Sequence, residues 1–137
     1  LLCEFLEHEI RDASRCIYEN SAFAGLVPYA AEVPYEIWIV PKRHRADFIE
    51  ISQTERARLA AAMKHTLSVL YDTLDDPDYN YIIHSCSRLK TQSPSLHWYL
   101  QIRPRTVTPA GFEIGSGVLI NPSLPEENAR CLRMAKN

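Results

Sequence analysis

The chain has 137 residues, of which 46% are apolar and 23% charged, and its net charge is −2. That suits one domain large enough to bury its own core. It lacks the basic block of a nucleic-acid surface or an acidic-membrane anchor. No apolar run is long enough to span a bilayer, and no signal peptide is visible. The cysteines at positions 3, 16, 86 and 131 form no C-x-x-C pair. They read as reduced thiols of a cytoplasmic protein, not as a disulfide framework. The first residue is Leu1 rather than Met, as expected of a fragment or processed piece.

Residues 2–13 read as a helix, with Leu2, Phe5, Leu6 and Ile10 at helical spacing and Glu4, Glu7, Glu9 and Arg11 around them. Ser14 and Arg15 break it. Cys16-Ile17-Tyr18 is a brief strand, Glu19-Asn20-Ser21 a turn, and Ala22 to Val27 the returning strand of a hairpin. A loop, Pro28 to Pro34, leads to a strand from Tyr35 to Val40 that Pro41 ends. Lys42-Arg43-His44-Arg45 then concentrates positive charge at the strand end, which suits either a solvated corner or a phosphate. Ser52-Gln53-Thr54-Glu55 has the pattern of a capping box and opens the longest helix. Its stripe is Leu59, Met63, Leu67, Leu70 and Leu74, and Asp75-Asp76-Pro77-Asp78 ends it.

A strand from Tyr79 to His84 and a polar loop, Ser85 to Ser95, lead to the most informative stretch, Leu96 to Arg103. With a two-residue period, Leu96, Trp98, Leu100 and Ile102 form a core face. His97, Tyr99, Gln101 and Arg103 form the other. Four hydrogen-bonding groups in a row suit either a solvated face or the floor of a site. Pro104 and Pro109 bracket an exposed connection into Ala110-Gly111-Phe112-Glu113-Ile114-Gly115-Ser116-Gly117. Its three glycines mark a tight turn or a close approach. They do not form a G-x-G-x-x-G fingerprint and are not expected to open a helix, which argues against dinucleotide binding. Val118 to Asn121 reads as extended, and Ser123 caps a last helix with Pro125 in its first turn. The order gives an α+β domain over 1–137: one mainly antiparallel sheet with the long helix across one face.

His97-x-Tyr99-x-Gln101, preceded by His84, together with the run from Ala110 through Asn121 to Glu127, resembles a known family. It is similar to the C-terminal domain of the galactose-1-phosphate uridylyltransferase family, of the histidine triad superfamily, and in particular its ADP-glucose phosphorylase branch. Val27-Pro28-Tyr29-Ala30-Ala31, Pro34-Tyr35-Glu36 and Ile39-Val40-Pro41-Lys42-Arg43-His44 share the resemblance, which covers about Cys3 to Glu127. It implies the histidine-triad-like half of a two-copy enzyme that moves a nucleotidyl group between sugar phosphates, or onto phosphate.

In the first copy of such enzymes a His-x-His-x-Gln strand supplies the nucleophile, its second histidine. Tyr99 stands there in this chain, and a phenol with a pKa of about 10 is a poor substitute. The resemblance therefore puts the nucleophile in an N-terminal half and makes this domain alone inactive. His84, His97, Tyr99 and Gln101 become a pseudo-active-site strand. Gly111, Phe112, Glu113 and Asn121 are the expected sugar contacts, although Asn121-Pro122 equally begins a turn. Lys42 and Arg43 are the expected phosphate side.

First copies often carry a C-x-x-C zinc pair, and the matching place reads Cys3-Glu4-Phe5-Leu6. Some second copies hold iron through histidines matching His84, His97 and position 99. Each set has lost a member, so no metal or cofactor is expected in this domain, while zinc is allowed in the N-terminal one. The implied partners are a sugar phosphate or nucleotide sugar and a second subunit in a homodimer, with no nucleic acid and no membrane. The alternative is a stand-alone, non-catalytic nucleotide or sugar-phosphate binding module. A stand-alone hydrolase using His97 or His84 ranks last, because position 99 lacks a histidine.

Overall fold

A computed structural model describes residues 2–86 and 96–135. Five antiparallel strands form one sheet in the order β1-β2-β3-β5-β4: β1 Cys16–Glu19, β2 Phe23–Leu26, β3 Ile37–Pro41, β4 Tyr79–His84 and β5 Tyr99–Pro104. The long helix, here α2, Gln53–Leu74, and the C-terminal helix, α4, Pro125–Met134, lie against one face. The N-terminal helix, α1, Leu2–Asp12, packs on the other. The α+β reading holds.

The pleat sorts the core. Ile37, Ile39, Leu100, Ile102 and Trp98 share one cluster with Ile17, Phe23, Leu59, Val69, Leu70 and Leu132. Leu6, Ala24, Leu26 and Val40 share the other, with Phe5, Trp38 and Tyr99 packed against them. Ser52 caps α2 through Glu55 N–H (3.2 Å), and the Glu55 carboxylate accepts from Ser52 N–H (2.9 Å). Asp75 and Asp76, both left-handed, stop the helix. Its deepest residues are Leu59, Ala62, Thr66, Val69 and Leu70. Met63, Leu67 and Leu74 of the expected stripe flank that row.

Several local expectations change. Leu96 is 38% exposed, since its backbone precedes β5 and the alternation starts only beyond it. Tyr35, at φ 59°, keeps β3 from starting before Ile37. Gly111–Ser116 forms a short helix, α3, where a turn was expected. The Glu113 carboxylate accepts Ala110 N–H at 2.6 Å, Ser116 Oγ donates to the Phe112 carbonyl, and left-handed Gly117 closes the helix. Gly111 and Gly115 have open space around them, so within this chain neither serves a close approach. Val118 to Asn121 joins no strand. Ser123 is not the α4 cap. Leu124 holds that position, and Ser123 Oγ instead accepts from Asn128 Nδ2 at 2.8 Å. The four cysteines are unpaired, and among the described residues no helix is long and apolar enough to cross a membrane.

Glu9, expected on the solvated side of α1, is 1% exposed. Arg15 makes this tolerable with bonds of 2.9 and 2.6 Å to the two carboxylate oxygens, and it also donates to Glu126 of α4. Arg15→Ala would leave a buried carboxylate uncompensated and is expected to cost about 3 kcal/mol, measured by urea unfolding. Glu126→Gln, on the exposed side of the same guanidinium, should cost less than about 1 kcal/mol.

Candidate functional site

The polar face of β5 is not a solvated face. Gln101 is 5% exposed and His97 9%, while Tyr99 is half-buried. The register sets Tyr99 opposite His84 on β4 and Gln101 opposite Trp38 on β3. Beside them the Glu36 carboxylate, 1% exposed, accepts from Gln101 Nε2 (2.6 Å), Trp38 Nε1 (2.7 Å) and Glu32 N–H (2.8 Å). A carboxylate buried this deeply needs such donors. It also fixes the Gln101 amide, because the NH2 must face Glu36. Gln101 Oε1 then accepts from His84 Nε2 at 2.7 Å, which puts the His84 proton on Nε2 and leaves a lone pair on Nδ1.

Tyr99 lies within an aromatic column. His84 stacks on it at 4.4 Å between centroids and Trp38 packs at 4.5 Å. Burial, with the charges of Glu36 and Glu32, pushes the Tyr99 phenol above its ordinary pKa. It is therefore neutral near neutral pH.

At the opposite end of β5, the trailing segment folds back over the β4–β5 edge. It forms a cleft of about 430 Å³ whose lining includes Asn80, Tyr81, Arg103, Arg105 and Glu113. Arg103 is paired with Glu32 at 2.7 Å. One Glu113 oxygen caps Ala110, as above. Gly111 and Phe112 stand on the same short helix, with Phe112 60% exposed. Asn121 does not line the cleft: its Nδ2 donates to the Ala31 carbonyl (3.0 Å), and its Oδ1 accepts from Ser123 N–H (3.0 Å) and Oγ (2.8 Å).

Lys42 and Arg43 stand at the far end of β3, beyond Pro41, whereas β3 begins at Ile37 beside Ile102. Lys42 pairs with Glu19 at 2.5 Å. The structure thus does not bring the expected phosphate pair to Glu113. The cations of that cleft are Arg103 and Arg105, which sequence reading passed over because Arg103 looked like one more member of a polar strand face.

A third group comes together at the Pro41 end of the sheet. The corner after β3 is strapped across the ends of β4 and β5, with Cys86 N–H donating to the Ala46 carbonyl (3.0 Å) and Trp98 N–H to the Arg45 carbonyl (2.8 Å). This carries His44 to His97, with ring centroids 5.2 Å apart. Cys3, in the first turn of α1, meets both. Among the described residues these are the three metal-ligating groups whose atoms lie within 4.8 Å of one another. His84 and His97, which the resemblance matches to an incomplete iron set, commit their Nε2 atoms to Gln101 and to the Pro41 carbonyl. The sequence signal was a cysteine three residues before Leu6, but its partners lie 41 and 94 residues away.

The fold and this two-faced strand define a histidine-triad-like domain. A Hit-like protein from Bartonella henselae superposes with a TM-score of 0.66 at 13% identity, covering 96% of this chain and 95% of that one. Residues 1–129 match the family model "Galactose-1-phosphate uridyl transferase, C-terminal domain", and the chain belongs to that family. It is 41% identical over 119 residues to ADP-glucose phosphorylase of Arabidopsis thaliana, covering 85% of this chain and 34% of that protein. The crystal structure of an Arabidopsis thaliana ADP-glucose phosphorylase with bound ADP-glucose superposes with a TM-score of 0.86 at 36% identity, over 99% of this chain and 43% of that one. The chain thus spans less than half the length of these relatives.

The burial of Tyr99 has a direct readout. In alkaline titration, the phenolate absorbance lost in Tyr99→Phe is expected to develop only above pH 10, later than that of the other tyrosines taken together. An ordinary midpoint would show that Glu36 and the aromatic column leave the hydroxyl free.

Proposed function

We propose that this chain is the sugar-recognition half of a hexose-1-phosphate nucleotidyltransferase whose nucleophilic histidine lies in another domain. The observation that carries the reading is Tyr99: the family's acceptor position holds a neutral phenol stacked between His84 and Trp38. Such a strand supports a neighbouring site better than it performs transfer. Glu113 supplies the recognition. A carboxylate accepts two hydroxyl hydrogen bonds from a hexose, and its cleft carries two guanidiniums suited to a phosphate. Phe112, exposed beside it, offers an apolar surface to the sugar ring.

The wider reading follows the relatives. The substrates are a sugar phosphate and a nucleotide sugar, the assembly is a homodimer in the cytoplasm, and zinc belongs to the N-terminal domain. A non-catalytic binding module is the second reading, favoured by the same Tyr99. An upstream His-x-His-x-Gln strand in the full-length gene decides for the transferase, and its absence for the module.

Calorimetric titration with glucose-1-phosphate, galactose-1-phosphate, UDP-glucose and ADP-glucose tests the sugar site. Glu113→Ala is expected to weaken binding by roughly 10- to 100-fold, the loss of hydrogen bonds to a charged group. Binding by the full-length enzyme that Glu113→Ala leaves unchanged would overturn the assignment.

A further inference from the structure

The cleft beside Glu113 is lined by two guanidiniums and two carboxylates, and they are not equivalent. The register pairs Asn80 with Arg103, and Arg105 N–H donates to the Asp78 carbonyl at 2.8 Å. The ladder thus runs one step past Pro104. Residues two apart on a strand share a face, so Arg103 and Arg105 follow Gln101 along the polar side of the sheet. Arg103 is met there by Glu32 at 2.7 Å. The backbone of Glu32 is fixed as well, because its N–H donates to the buried Glu36 carboxylate at 2.8 Å. Arg105 is exposed and, among the described residues, forms no ion pair.

The charges of the cleft follow from these contacts. Glu32 and Arg103 cancel, which leaves the Glu113 carboxylate and the Arg105 guanidinium as the unmatched pair. One Glu113 oxygen is held by the Ala110 cap, so the other is the acceptor offered to a ligand. A carboxylate oxygen takes hydroxyl donors, and a free guanidinium takes two phosphate oxygens through its fork. Arg103 can join that phosphate only by leaving Glu32. The Glu32 carboxylate would then stand unpaired beside a monoester carrying about two negative charges, and their repulsion opposes the exchange.

We propose that Arg105 is the phosphate anchor of the sugar cleft, and that Glu32, by holding Arg103, limits the cleft to this one anion contact. The proposal rests on the sugar-binding reading of Glu113 and adds the residue that separates a hexose phosphate from a free hexose. Arg105 is a binding residue. Glu32 is a positioning residue that acts through Arg103. Lys42 and Arg43, beyond the other end of β3, do not line this cleft and do not share the role.

The test is calorimetric titration of the full-length protein with glucose-1-phosphate, with glucose as competitor. Arg105→Gln is expected to weaken glucose-1-phosphate roughly 10- to 100-fold, the loss of hydrogen bonds between charged groups, and to lower its preference over glucose by the same factor. Arg105→Lys keeps the charge without the fork and should lose less. Arg103→Gln should change binding by less than about threefold, since its exposed pair contributes little. Glu32→Gln frees Arg103 and keeps the backbone bond to Glu36. It should tighten glucose-1-phosphate roughly three- to tenfold, a gain that shrinks as salt rises and that a merely structural role would not produce. Binding that Arg105→Gln leaves unchanged, or that Arg103→Gln weakens equally, overturns the anchor. Unchanged or weaker binding in Glu32→Gln overturns the limiting role of Glu32. The sugar reading fails separately, if Glu113→Ala has no effect while Arg105→Gln does. Absence of glucose-1-phosphate binding overturns both.

Discussion

The buried carboxylate of Glu36 is the constraint on which the middle of this sheet depends. A charge with 1% exposure is stable only if every nearby donor turns toward it, and Gln101, Trp38 and the Glu32 amide do so. Sliding β5 past β3 by one residue would remove Gln101 from the carboxylate and invert the two core faces together. The polar contact and the apolar alternation thus specify the same register. Because Gln101 passes its orientation on to His84, one carboxylate also sets the tautomer of a histidine two strands away.

The polar face of β5 carries packing: Tyr99 fills the space between His84 and Trp38, and α1 covers part of the face with Phe5 and Leu6. What remains open to ligands lies at the two ends of the strand. One end has Glu113 with Arg103 and Arg105, and the other has Cys3 with His44 and His97.

The parts legible in the sequence were those governed by neighbours. Ser52 and Glu55 cap each other across three residues, the two aspartates after Leu74 break the helix, and Trp98, Leu100 and Ile102 alternate with polar partners. What failed depended on distance. Glu36 needs Gln101, 65 residues on, before its burial makes sense, and Cys3 looked like a broken pair until the fold delivered two histidines. The glycine-rich run failed for another reason. Gly111 and Gly115 suggested a loop, but Glu113 and Ser116 satisfy enough backbone to hold a helical turn that propensity alone disfavours.

Arg15 joins elements that the chain order keeps far apart. It grips Glu9 on α1 and Glu126 on α4, lies 5.5 Å over the ring of Tyr29, and sits just before β1. Arg133 of α4 adds bonds to the carbonyls of Ala13, Ser14 and Cys16. α1 and α4, on opposite faces of the sheet, are therefore not free to fray separately. Opening either one exposes the charges of the other, so amide exchange in both helices should report a single shared opening event. The two helices form one cooperative unit closed by a guanidinium.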